Sequence, residues 1–299
     1  MEVSTSSDVD VEQPETAGAA VDGAAWAAMV GPKRGRFSGP YAITLMRIAT
    51  VLVILVFWQL ASGPILPAYA VSNPVSVAEA AKNLLTSSAG WSDIQTTGIE
   101  LVVGFALGVL IGTVLALVLG AVPVAGRVLE PLIAAVNGIP KIALAPLFLL
   151  FFGIGTESKI AIAVFSASFI MFYNLYLGLR LVDGELVEIV RVMGGRWQDV
   201  LRYVTLPSLA PPFFAGLKAS APLAMLGVIA GEFIASFNGL GHLLYIDSQQ
   251  LDAAGTFGAL VVLVIMSLII NSILTWLDNL VLRLLGLGDR GRAAAAKSR

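Results

Sequence analysis

Cysteine is absent from these 299 residues, which excludes disulfides, thiolate metal sites and cysteine nucleophiles together. A single histidine, His242, leaves no material for a histidine-built metal or catalytic centre. Charge is scarce as well, at 13% of residues against 57% hydrophobic, far too apolar for a soluble domain of average make-up. No G-x-x-x-x-G-K-[ST] phosphate loop occurs, so the chain offers no such cradle for ATP. The net charge of −2 says little about partners, and nucleic acid is not expected among them.

What the sequence has is apolar length. A helix needs about 20 apolar residues to cross a bilayer, and six stretches qualify, at roughly 42–61, 98–120, 129–152, 159–179, 211–236 and 257–280. They are apolar nearly all round, unlike the single stripe of a soluble bundle helix. The expected fold class is all-α, a polytopic membrane protein with six transmembrane helices over residues 40–285. Residues 1–39 are acidic and rich in small side chains before the basic cluster Lys33, Arg34 and Arg36, and are expected to be a disordered tail. Residues 286–299 form a basic tail. Ala68-Tyr69-Ala70 has the form of a signal-peptidase site, but the polar leader and the apolar stretch before it are too long for a signal peptide. The first stretch therefore reads as a retained span.

Lys and Arg set the orientation. With a cytoplasmic N-terminus, the inner side receives Lys33, Arg34, Arg36, Arg127, Arg180, Arg191, Arg196, Arg202, Arg283 and the tail cations, and the outer side only Lys82 and Lys159. This positive-inside bias places both termini, and the polar segment at 184–207, in the cytoplasm.

Several local patterns refine the picture. Asn73-Pro74 reads as a helix cap with a first-turn proline, and Val77, Ala80, Ala81 and Leu84 follow at helical spacing. That helix lies either at the outer lipid interface or, as favoured, on the bundle. In the second span Gly104, Gly108, Gly112, Ala116 and Gly120 recur every four residues, a ridge for close helix packing or for a pore or subunit contact. The third span is interrupted by Asn137-Gly138-Ile139-Pro140-Lys141 and Pro146, where freed backbone groups need protein or a water-lined cavity. Lys141 is a candidate for the solute path, or else snorkels to an interface. Asn174 and Glu232 are further path candidates, Glu232 with Lys218 or Lys141 as a possible cationic partner. Lys218 otherwise snorkels toward the inner side, and residues 238–250, with His242, read as a solvated outer loop.

The segment at 184–207 carries the most information. Leu186, Ile189, Val190 and Met193 fall at i, i+3, i+4 and i+7, so a short helix presents one apolar face before Gly194-Gly195 breaks it. Trp197, Val200, Leu201 and Val204 repeat the spacing, and Leu206-Pro207 is expected to turn the chain back toward the membrane. Such a helix suits a groove on a partner, or alternatively rests on lipid headgroups.

The spacing from Glu188 to Gly194 and on to Leu206-Pro207 resembles the cytoplasmic coupling loop of permease subunits in bacterial ABC importers. Ile189 and Val190 stand where the family has two alanines. Glu130-Pro131-Leu132, Ile139-Pro140-Lys141 through Pro146-Leu147, and Phe152-Gly153-Ile154-Gly155-Thr156-Glu157-Ser158-Lys159 resemble the nitrate, sulfonate, taurine, bicarbonate and thiamine-precursor subgroup. Gly231-Glu232-Phe233 and Gly239-Leu240-Gly241 continue the likeness, which covers roughly residues 50–285. Glu100 stands where the family pattern usually has a basic residue.

The resemblance implies a type I importer permease fold in a bacterial plasma membrane, with Leu186, Glu188, Ile189, Val190, Met193, Gly194, Leu206 and Pro207 coupling to an ATPase. It also implies two ATPase subunits holding Mg-ATP, a second permease copy as a homodimer or a paired non-identical chain, and an extracytoplasmic binding protein. No cofactor is expected in this chain, and it is not expected to be an enzyme. A rival reading is an autonomous secondary transporter or channel, which predicts inverted repeats and an ionisable coupling site within the spans; no convincing repeat is visible.

Overall fold

The structure, a computed structural model, describes residues 40–64, 67 and 70–286. The expected tail at 1–39, the basic tail beyond Gly286 and most of the Ala68-Tyr69-Ala70 triplet lie outside the described residues. The chain forms two units, residues 1–56 and 57–299. The described part of the first is most of α1 (Pro40–Ala61), an apolar helix long enough to span.

In the second unit, α2 (Pro74–Thr86) starts at the expected cap: Asn73 accepts the Ser76 amide at 2.9 Å and Pro74 sits in the first turn, where its missing N–H costs nothing. α2 buries Val77 and Ala81, and Ala80 and Ala81 lie against Gly258 of α11 (Ala253–Leu284). It therefore rests on the bundle. α3 (Ser88–Ala121), α6 (Thr156–Arg180) and α9 (Leu206–Ile234) form the centre.

The glycine ridge sets their arrangement. Gly104 lies against Ile160 and Ala163, Gly108 against Val164 and Ala167, and Gly120 against Leu179. Residue numbers rise together, so α3 and α6 run parallel. Between apolar helices in lipid the gain is van der Waals contact, and small residues let the backbones approach. Against α6 the order reverses for α9, with Gly231 beside Lys159 and Gly178 beside Pro212.

Two parallel neighbours require a return crossing between them. α4 (Pro123–Asn137) and α5 (Ala145–Phe152) supply it as a pair bent by 83°, joined through the 3₁₀ turn Lys141–Leu144. Pro140 cannot continue α4, and Lys141 Nζ donates to the Asn137 carbonyl (3.0 Å) and its side-chain oxygen (3.1 Å), satisfying a helix-end acceptor. With this pair counted once, the described residues hold six spans.

Two expectations need correction. Leu206-Pro207 is not a turn: the chain is helical without interruption from Trp197 to Ile234. A π-helical segment, Leu201–Thr205, precedes Pro207, and the Leu206 amide reaches back to the Leu201 carbonyl. That wider register accommodates the proline, which has no amide to donate. Residues 238–250 are not an open loop either. α10 (Leu240–Gln249) buries Leu240, Gly241 and Leu244 against α9 and α11, leaving His242 half-buried.

Candidate functional site

Between α6 and α9 the chain leaves the bundle as α7 (Gly184–Val192), then α8 (Trp197–Val200) leads into α9 through the π segment. Asp183 starts α7 by accepting the Glu185 amide at 2.9 Å. Its end is a Schellman turn, in which the Gly194 amide donates to Arg191 (2.9 Å) and the Gly195 amide to Val190 (2.9 Å). Gly194 has φ +82°, the left-handed conformation that such a stop requires. Arg196 then donates its amide to Asp199 at 2.7 Å, fixing the start of α8.

The result is a short capped rod whose apolar face has no cover among the described residues. Leu186 and Ile189 are exposed, Met193 is 82% exposed and Trp197 72%, while Val190 is half-buried and Glu188 faces solvent. At the other end of the segment Val204 is buried and Pro207 half-buried, with Leu206 exposed. At the same end of the bundle Arg180 pairs with Glu130 at 2.9 Å, joining α6 to α4.

The three path candidates are held by different neighbours. Lys141 is bound at the α4 bend. Asn174 donates to the Ile170 carbonyl at 2.9 Å, one turn back along its own helix. Glu232 pairs with neither Lys218 nor Lys141: its carboxylate accepts the Thr97 hydroxyl at 2.7 Å and the Gly241 amide at 2.7 Å. Lys218 does not snorkel but binds Asp278 of α11, a partner one helix away that makes the longer reach unnecessary.

Around Glu232 lies a buried polar cluster at the end of the bundle remote from α7. The Thr97 hydroxyl accepts the Leu240 amide at 2.8 Å, and Asp93 accepts the Gly239 amide at 2.7 Å. Gly239 (φ +104°) lies so close to the Glu232 carboxyl that a Cβ there would strike it. Glu100 of α3 faces Glu232, Lys159 and Thr156. Lys159, counted among the outer charges in the sequence, is 2% exposed and donates to the carbonyls of Ile154 (3.2 Å) and Gly155 (3.0 Å). Sequence reasoning missed this assembly. Its one signal is that Glu100, Lys159 and Glu232 each stand at the same end of their apolar stretches once the alternation of directions is followed.

Comparison with known proteins identifies the family. The family described as binding-protein-dependent transport system inner membrane component matches residues 104–286. The riboflavin transport system permease of Chloroflexus aurantiacus is 33% identical over 238 residues, covering 78% of this chain and 88% of that protein. The formylaminopyrimidine transport permease of Halalkalibacterium halodurans is 28% identical over 231 residues, covering 77% and 92%. Among solved structures, an inward-facing methionine ABC transporter, MetNI, aligns with a TM-score of 0.50 at 20% identity, covering 65% of this chain and 93% of that one. That likeness concerns the fold.

Proposed function

Because this chain belongs to the family of binding-protein-dependent transport system inner membrane components, we propose that α7 is the point at which a separate ATPase moves the helical bundle. The chain is the membrane-spanning permease subunit of an ATP-driven importer. In the proposed assembly two permease copies, each with one α7 rod, dock on two ATPase subunits that hold and hydrolyse Mg-ATP. The Lys and Arg distribution supports a cytoplasmic α7 and cytoplasmic termini in a bacterial plasma membrane, with α10 on the outer face. Closure of the ATPase pair draws the two rods together and tips the bundles from inward- to outward-open. An extracytoplasmic binding protein delivers the solute at the α10 end.

The observation that carries this reading is the uncovered apolar face of a capped rod between two spans. In water an apolar helix face of this kind is stabilised by a groove, and helix-in-groove docking supplies one. Leu186, Ile189, Val190 and Met193 form the knob in this reading; Glu188 flanks it. Gly194 stops the rod, and Leu206 and Pro207 lie where its motion enters α9. Lys141 and Asn174 are proposed polar contacts along the path. For cargo we propose a small polar nutrient. The two relatives above are named for chemically distinct solutes at comparable identity, which supports selection by the binding protein rather than by this chain.

Affinity purification from the native membrane tests the reading. The wild-type chain carries an ABC ATPase with it, and Ile189→Pro loses that ATPase while still inserting in the membrane. Solute transport by the purified chain in vesicles containing no ATPase would overturn the assignment.

A further inference from the structure

The cluster at the α10 end contains more acid than its hydrogen bonds require. Glu232 is 0% and Glu100 1% exposed, and the two side chains face one another across the α3–α9 contact. Glu232 already accepts from Thr97 and Gly241. Glu100 Oε2, equally buried, has no hydrogen-bond partner among the described residues. Lys159 is the cation beside them, and its ammonium donates to two backbone carbonyls rather than to either carboxylate.

Two adjacent carboxylates in a site closed to water repel strongly, and such pairs hold one proton between them. The charges close on the same count. One ammonium, one carboxylate and one neutral carboxyl sum to zero, whereas two carboxylates leave an uncompensated buried charge. The other charged groups near the pair are Asp93 on α3, half-buried and bound to Gly239, and Glu157 on α6, which is exposed. Neither residue type supplies a positive charge that could offset a second carboxylate at the centre.

We propose that Glu100 and Glu232 share a single proton and that this pair, its one remaining negative charge balanced by Lys159, is the clasp holding the turn into α10 against α3 and α6. Glu232 is a positioning residue. Through Gly241, and through Thr97 to Leu240, it fixes the first turn of α10, while Asp93 holds Gly239. The clasp joins three segments far apart in sequence, α3, α6 and the stretch from Glu232 to Gly241, without placing a net charge in the bundle. It does not depend on which side of the membrane the cluster faces, and so stands apart from the reading of α7.

The full chain in lipid vesicles provides the test. Infrared spectra at neutral pH show a protonated carboxyl C=O band that shifts in D₂O, and the band disappears in Glu232→Gln, because Glu100 is then left alone beside Lys159 and ionised. Each single Gln variant mimics a protonated acid and keeps near wild-type thermal stability; the double variant strands Lys159 and melts well below either. Amide exchange at residues 239–241 stays slow in Glu232→Gln and quickens about tenfold or more in Glu232→Ala. Absence of the band from the wild type, or its persistence in Glu232→Gln, overturns the proposal. So does failure of both single Gln variants to fold.

Discussion

The Gly195 amide donates to the Val190 carbonyl at 2.9 Å, and an added Cβ on Gly195 would meet both that oxygen and a Val190 methyl. This contact sets where the apolar rod stops and the direction in which α8 leaves it. Gly195→Ala must therefore displace Val190 from the knob. Gly194→Ala has free space around it but places a side chain in the left-handed region, at a cost of about 1 kcal/mol. Both variants are expected to insert normally. ATPase recovered with the tagged permease should fall several-fold for Gly195→Ala and less for Gly194→Ala.

The lack of native cysteine makes orientation directly measurable. Met193 and Glu79 are both exposed, the first just past α7 and the second on α2. In intact cells a membrane-impermeant thiol reagent should label Glu79→Cys at once and Met193→Cys only after the membrane is opened. The opposite pattern would invert the topology and place α7 beyond the reach of an intracellular ATPase.

Lys218 and Asp278 form an ion pair between α9 and α11, with Asp278 Oδ1 buried and unpartnered among the described residues. Removing one charge leaves the other with no counter-ion in a poorly hydrated place. Lys218→Met or Asp278→Leu alone should destabilise the detergent-extracted chain by roughly 2 kcal/mol, short of a fully buried pair because Lys218 keeps partial solvent access. The double substitution should recover most of that loss, as read by thermal unfolding. Additive losses would mean that the two residues do not interact.

Asp247, on α10 outside the spans, has its carboxyl pushed above the ordinary aspartate range by burial and then by the nearby Asp252 carboxylate. Its folded-state value exceeds its unfolded one, so the folded chain binds the proton more tightly. The stabilisation from that proton is complete below the ordinary aspartate value and is lost as pH rises through the folded one. At neutral pH Asp247→Asn should therefore stabilise α10, with slower amide exchange there than in wild type. The difference should shrink steadily as pH falls toward the ordinary aspartate range. An advantage for the variant that is the same at every pH would assign the effect to something other than this charge.

The six spans were legible because apolar length is a one-dimensional property, and the α2 cap because Asn73 and Pro74 act on their immediate neighbours. The rod α7 was legible for the same reason, its periodicity and its glycine stop lying within a dozen residues. The supposed turn at Leu206-Pro207 misled because proline usually breaks a helix, and nothing in Leu201–Thr205 announces a π register that accepts one. Residues 240–249 read as loop because Gly239 and Gly241 look like turn residues; in the structure they allow close approach to Glu232. The polar cluster was least visible. Thr97 and Glu232 stand 135 positions apart, and no local pattern connects them.

The uninterrupted run from Trp197 to Ile234 has a mechanical consequence. At 1.5 Å per residue its 38 residues span about 57 Å. One tip adjoins the greasy rod and the other carries the acid that grips the opposite mouth. Such a beam behaves like an oar in its lock: pivoted near its middle, a swing of about 10° carries the far blade about 5 Å. A push delivered at Trp197 thus arrives at Glu232 as displacement, with no relay of intervening side chains needed.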